Sequence, residues 1–88
     1  LYQNFPNPFN PVTTIGYNLP QDAIVDIIIY DMVGRVVKTL NNGKKSGRYT
    51  SVQWDATDEA GAPVGAGIYL YTIQSGDFTQ TRKMVFLK

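Results

Sequence analysis

The stretch Gly65-Ala66-Gly67-Ile68-Tyr69-Leu70-Tyr71-Thr72-Ile73-Gln74 limits what this chain can fold into more than any other. Its alternating faces both read apolar: Ile68, Leu70 and Thr72 lie on one, Tyr69, Tyr71 and Ile73 on the other. β-Branched, aromatic and aliphatic residues entered through glycines make a strand near the centre of a sheet. Such a strand needs cover on both sides. The cover has to come from eighty-eight residues, enough for one domain at most and a modest core.

The flanking segments supply more strands. Val12 to Leu19 alternates, with Ile15, Tyr17 and Leu19 on one face and Thr14, Gly16 and Asn18 on the other. Leu19-Pro20-Gln21-Asp22 ends it with turn chemistry. Ala23 to Tyr30 follows, with Val25, Ile27 and Ile29 on one face, and Ile24, Ile28 and Tyr30 sharing the other with Asp26. Asp31-Met32-Val33-Gly34 has Asp at the first and Gly at the fourth position of a tight turn, and Val36 to Leu40 returns as a hairpin strand. Residues 41–47, Asn-Asn-Gly-Lys-Lys-Ser-Gly, read as a polar, flexible loop. Arg48 to Trp54 alternates again, with Thr50, Val52 and Trp54 on one side. A long loop from Asp55 to Gly65 leads into the central strand. Phe78 to Leu87 is the last strand, with Phe78, Gln80, Arg82, Met84 and Phe86 on one face.

Residues 1–11 differ from all of this. Asn4-Phe5-Pro6-Asn7-Pro8-Phe9-Asn10-Pro11 is a stiff, extended lead-in, because each proline fixes φ, removes a donor and extends the residue before it. Phe5 and Phe9 are expected to dock on the body, with asparagine side chains closing turns on nearby backbone. No segment keeps a helical period. Six strands, seven if the lead-in pairs, at intervals of about ten residues with turn signals between them, give an all-β fold. The expected architecture is an immunoglobulin-like antiparallel β-sandwich over 12–88. In it Tyr69, Tyr71 and Ile73 belong to the inter-sheet core with Trp54, while Phe5 and Phe9 cover the second face of the central strand.

Composition narrows the chemistry. The chain is 43% hydrophobic and 17% charged, which suits a globular fold, and its net charge of +1 gives no field for nucleic acid. No apolar run approaches the ~18 residues of a membrane-spanning helix, so no membrane insertion is expected. No signal peptide opens the sequence, and Leu1 in place of a start methionine suggests a piece of a longer protein. There is no cysteine and no histidine. The usual general base, the commonest metal ligand and the thiolate nucleophile are therefore all missing, and neither enzyme activity nor a cofactor is expected.

Four groups of residues are candidates for sites. Asp55, Asp58 and Glu59 offer oxygen ligands that suit calcium, but their spacing is not that of an EF-hand loop. Capping of turns by Asp55 and Asp58 is the reading these residues favour. Tyr17, Tyr30, Tyr49, Trp54, Tyr69 and Tyr71 could form a sugar-stacking platform, yet most occupy strand positions that face a core. Lys44-Lys45 and Arg82-Lys83 are short basic pairs that suit a solvated loop and a strand edge. Gly65-Ala66-Gly67 precedes a strand instead of a helix, and so is no phosphate-binding loop.

Taken in order, several segments share one pattern. They are Gln3 to Pro11, Thr14-Ile15-Gly16-Tyr17-Asn18-Leu19-Pro20, Ile29-Tyr30-Asp31 with Gly34-Arg35-Val36-Val37, Trp54-Asp55 followed by Asp58 and Gly61, Gly67-Ile68-Tyr69-Leu70-Tyr71, and Lys83-Met84-Val85-Phe86-Leu87-Lys88. This pattern resembles the C-terminal sorting domain, type A, of the type IX secretion system, and the related immunoglobulin-like domain of flagellar hook-capping proteins. The one departure is Ala56, where that family often has glycine. The resemblance implies a single non-catalytic domain over 1–88 that acts as an address label on an N-terminally attached cargo protein. Its partner would be the outer-membrane type IX machinery of a Gram-negative bacterium. The label would pass through the periplasm and be secreted or held at the cell surface. Recognition would fall on Lys83, Met84, Val85, Phe86, Leu87 and Lys88, although Met84 and Phe86 also suit a core. The rival readings are a structural or interaction module, hook-cap-like or a spacer, and a carbohydrate-binding accessory domain.

Overall fold

The computed structural model describes residues 1–19, 22–45 and 49–87, with 41–45 as backbone alone. Its regular elements are six strands: β1 (Thr13–Asn18), β2 (Ala23–Tyr30), β3 (Val36–Lys45), β4 (Tyr49–Trp54), β5 (Gly67–Ser75) and β6 (Phe78–Phe86). β1 and β4 form a two-stranded sheet, and the order in the four-stranded sheet is β3-β2-β5-β6. Every strand pair is antiparallel. Together they make an immunoglobulin-like β-sandwich.

The two-residue period of each strand decides what lies between the sheets. Val25, Ile27 and Ile29 of β2 are fully buried, and so are Ile15 and Tyr17 of β1. Trp54 ends β4 at 1% exposure and meets Tyr69 edge-on, with ring centroids 5.3 Å apart. Tyr71, Ile73, Met84 and Phe86 complete the far side of the same cluster.

Two expectations need correction. The first concerns residues 41–47. β3 runs on to Lys45, which pairs with Ala23, so Asn41 to Lys45 belong to a strand. β2, rich in β-branched residues though interrupted at Asp26, offers a long partner, and pairing along it overrides the turn-like composition of its neighbour. Two register shifts absorb the mismatch, at Val25/Asp26 and Ile29/Tyr30, and leave Asn42 and Val37 without a direct partner. The expected loop at Ser46 and Gly47, the strand start at Arg48 and the turn at Pro20-Gln21 lie outside the described residues.

The second correction concerns cover for the central strand. Phe9 does not reach the outer face of β5. It sits between the sheets, stacked on Phe86 at 5.2 Å and tilted against Trp54 at 5.8 Å. Phe5 covers nothing, because its side chain is 79% exposed. Its backbone instead exchanges two hydrogen bonds with Thr14, at 3.0 and 2.9 Å, which fixes the side chain outward. The outer face of β5 makes do with cross-strand neighbours. Leu70 is half-buried between Tyr30 and Lys83, and Thr72 is buried with its hydroxyl 2.8 Å from that of Thr81.

The sandwich is closed on both open sides by irregular chain. On one side residues 1–9 bond to the free edge of β1 and then to the free edge of β6. On the other, the loop after Trp54 reaches β3: Glu59 accepts from the Thr39 amide, and Lys38 donates to Thr57 Oγ1 at 3.0 Å.

Candidate functional site

The lead-in and the last strand, seventy-odd residues apart, are one structure. Asn4 is 2% exposed and is the polar centre of it. Its Nδ2 donates to Thr13 Oγ1 at 2.9 Å and to the Pro6 carbonyl at 3.1 Å, while its Oδ1 accepts from Gln3 Nε2 at 2.7 Å. Thr13, also buried, donates to the same Pro6 carbonyl at 2.9 Å. Below them lies Tyr71, whose ring is in the core. Its hydroxyl accepts from the Asn4 amide at 2.8 Å and donates to the Tyr2 carbonyl at 2.9 Å. Burying a polar group without a partner is costly, and here the partners tie the lead-in to the central strand. Burial pushes the Tyr71 phenol above its ordinary pKa; the bond from Asn4 works against that shift, as does Arg82 nearby.

From this anchor the lead-in runs beside β6. Arg82 Nε donates to the Leu1 carbonyl at 3.0 Å, and Gln3 Nε2 donates to the Lys83 carbonyl at 2.9 Å. The Val85 amide donates to Asn7 Oδ1 at 2.9 Å. Phe9 then pairs in parallel with Phe86: its amide donates to the Val85 carbonyl and its carbonyl accepts from Leu87, both at 3.0 Å. The residues expected to carry recognition therefore divide. Met84 and Phe86 are buried in the core at 0% and 3% exposure, so their side chains are not available to a partner. Lys83 and Leu87 are exposed and Val85 is half-buried, and all three turn their backbone groups to the lead-in. Lys88 lies outside the described residues.

The other candidates do not assemble into sites. In the loop after Trp54, Asp58 Oδ1 accepts from the amides of Ala60 and Ala62, at 3.0 and 2.9 Å, and so closes the turn to Gly61. Asp55 accepts from Thr57 Oγ1 at 2.5 Å, a bond that is the main cause holding its carboxyl below the usual range. Glu59 is turned away to β3. Among the described residues no three His, Cys, Asp or Glu side chains gather where they could hold a metal ion. Of the aromatic set, Tyr17, Trp54, Tyr69 and Tyr71 are buried. Tyr49 is exposed and packs beside Tyr2, with centroids 5.9 Å apart.

Asn4, Gln3, Asn7 and the Tyr71 hydroxyl were missed in the sequence. The asparagines were expected to bond to nearby backbone, and Asn4 does so at Pro6, but Asn7 reaches Val85. A clue was present: a tyrosine at a core position must find a partner for its hydroxyl, and a proline-rich segment has few free amides to offer.

Comparison with known proteins fits this geometry. Residues 10–77, well over half of the chain, match the FlgD Ig-like domain, and the chain belongs to that family. Among solved structures it is similar to dimeric latent PorU from Porphyromonas gingivalis, with 29% identity, a TM-score of 0.78 and 97% of this chain covered. It is also similar to FlgD from P. aeruginosa, with 27% identity, a TM-score of 0.69 and 84% covered. PorZ of Porphyromonas gingivalis, at 19% identity, shares the fold, with a TM-score of 0.69 and 98% covered. The chain spans 9%, 58% and 11% of those proteins, less than two thirds of each. No curated protein sequence matches it.

Proposed function

We propose that this domain is a non-catalytic label that directs an attached protein across the outer membrane through the type IX secretion system. One observation carries the reading. The family match leaves out residues 1–9 and 78–88, most of the lead-in and the whole last strand that clamp together, whereas the likeness to PorU covers 97% of the chain and so takes in nearly all of both. PorZ, which shares the fold over 98% of the chain, is described as an essential surface component of the type IX secretion system. On this reading the cargo is attached on the N-terminal side, the outer-membrane machinery is the partner, and the destination is the medium or the cell surface. The sandwich supplies a folded scaffold, and the exposed residues of the last strand, Lys83 and Leu87 with Val85, supply what is read.

A second reading is favoured by the family itself. An FlgD-type immunoglobulin-like domain serves as a structural module, and of the three structures compared FlgD is the one of which this chain spans the largest share, 58%. On that reading the domain is a spacer or assembly unit.

Fusing residues 1–88 behind a periplasmic reporter, in a bacterium with the type IX system, separates the two. The label reading expects folded reporter outside the cell. Folded, protease-resistant fusion retained in the periplasm would leave only the structural reading.

A further inference from the structure

The outer edge of β6 is filled by an irregular partner. Lys83, Val85 and Leu87 turn backbone groups away from β5, and the lead-in satisfies them in a mixed way. The Lys83 carbonyl and the Val85 amide are met by the side-chain amides of Gln3 and Asn7. Only Phe9 contributes backbone groups, to Val85 and Leu87. Pro6 and Pro8 carry no N–H and cannot join a ladder. Gln3 to Phe9 is thus a poor substitute for a strand on an edge that a regular strand would fill with main-chain bonds alone. The Phe9 ring is the other half of the contact, since it fills the slot between Trp54 and Phe86.

We propose that the β6 edge from Lys83 to Leu87 is an acceptor for an added strand, with residues 3–9 as its resident occupant. The partner is an extended segment of the export machinery that replaces the lead-in at this edge. It needs a large apolar side chain for the slot that Phe9 vacates. An acidic residue beside Lys83 would complement the exposed charge. Main-chain bonds give such a contact its strength, and alternate side chains give it selectivity. The inference rests on the sorting reading.

The test locks the occupant in place. Phe5 and Thr14 face each other across the antiparallel bridge that ties the lead-in to β1, so Phe5→Cys with Thr14→Cys would staple the lead-in in place. In the reporter fusion, the stapled form is expected outside the cell at a tenth or less of the level of the matched Phe5→Ser/Thr14→Ser form, which leaves Lys83, Val85 and Leu87 intact. Equal export of the two would overturn the strand-acceptor proposal and leave the label reading standing. Retention of the unmodified fusion would sink both. A second measurement needs no variant. Hydrogen exchange on the intact chain should show the Val85 and Leu87 amides exchanging at least tenfold faster than those of Arg82 and Met84, which pair into the sheet with Tyr71 and Tyr69. Equal protection of all four would mean that the lead-in leaves only when the whole domain unfolds, which would also overturn the proposal.

Discussion

Tyr71 shows how one atom can hold two distant segments together. Its ring would pack in the core without the hydroxyl, but the hydroxyl is the partner of the Asn4 amide and the Tyr2 carbonyl. Tyr71→Phe keeps the ring and orphans both groups. The expected cost is about 1–3 kcal/mol, read as a lower urea midpoint. The same residue sets a pH limit. Burial raises the Tyr71 phenol, so the folded state favours the protonated form. Its contribution is intact below the ordinary phenol pKa of about 10, and is lost as pH rises through the higher folded value. Tyr71→Phe should flatten this alkaline limb. Asp26 is the opposite case. Among the described residues its Oδ1 is buried with no hydrogen-bond partner, at a strand position between Asn41 and Gln74. Replacing it by a β-branched residue that suits a strand removes the orphan, so Asp26→Thr should raise stability by about 1 kcal/mol in the same urea titration.

At the scale of elements, the two phenylalanines of the lead-in have opposite weights. Phe9 fills the slot between Trp54 and Phe86, and Phe9→Ala should cost about 3–5 kcal/mol. Phe5, at 79% exposure and fixed through its backbone alone, should lose less than about 0.5 kcal/mol on the same change. Equal losses in thermal unfolding would show that the lead-in docks in another way. Nothing in the spacing of Asn4-Phe5-Pro6-Asn7-Pro8-Phe9 could separate these two residues, because prolines abolish the period on which a choice of face depends. Where the period was regular the sequence was readable: alternation put Val25, Ile27 and Ile29 on one face, which is the buried one, and Trp54, Tyr69 and Tyr71 share the core as expected. The order β3-β2-β5-β6 was not readable, since it depends on which edges meet across the long connections. Neither was the extension of β3 to Lys45, where a strong partner strand overrode turn-forming residues. The turn from Asp31 to Gly34 was readable because its chemistry is local: the Gly34 amide bonds the Asp31 carbonyl at 3.0 Å, and Gly34 adopts φ 94°. The candidate site was half legible. Its last strand was named, but the lead-in along its edge was not.

At the scale of the molecule, the clamp explains how a small sandwich can be both stable and readable. The sheets bury the inner side chains of β5 and β6, and the lead-in seals the one edge that runs beside the last strand. What remains outward from the end of that strand, beside the lead-in, is short: Lys83, Leu87 and part of Val85. The central claim is that the sandwich is scaffold and the message lies on these outward residues. Export of the reporter fusion carrying Lys83→Gln with Leu87→Ser, beside a measurement of its melting temperature, tests that claim most directly. Both side chains are exposed, so melting should change little, by roughly 2–3 °C or less. The expected result is a folded fusion whose export falls at least tenfold. Undiminished export of that folded fusion would contradict the claim and place the message elsewhere in the domain.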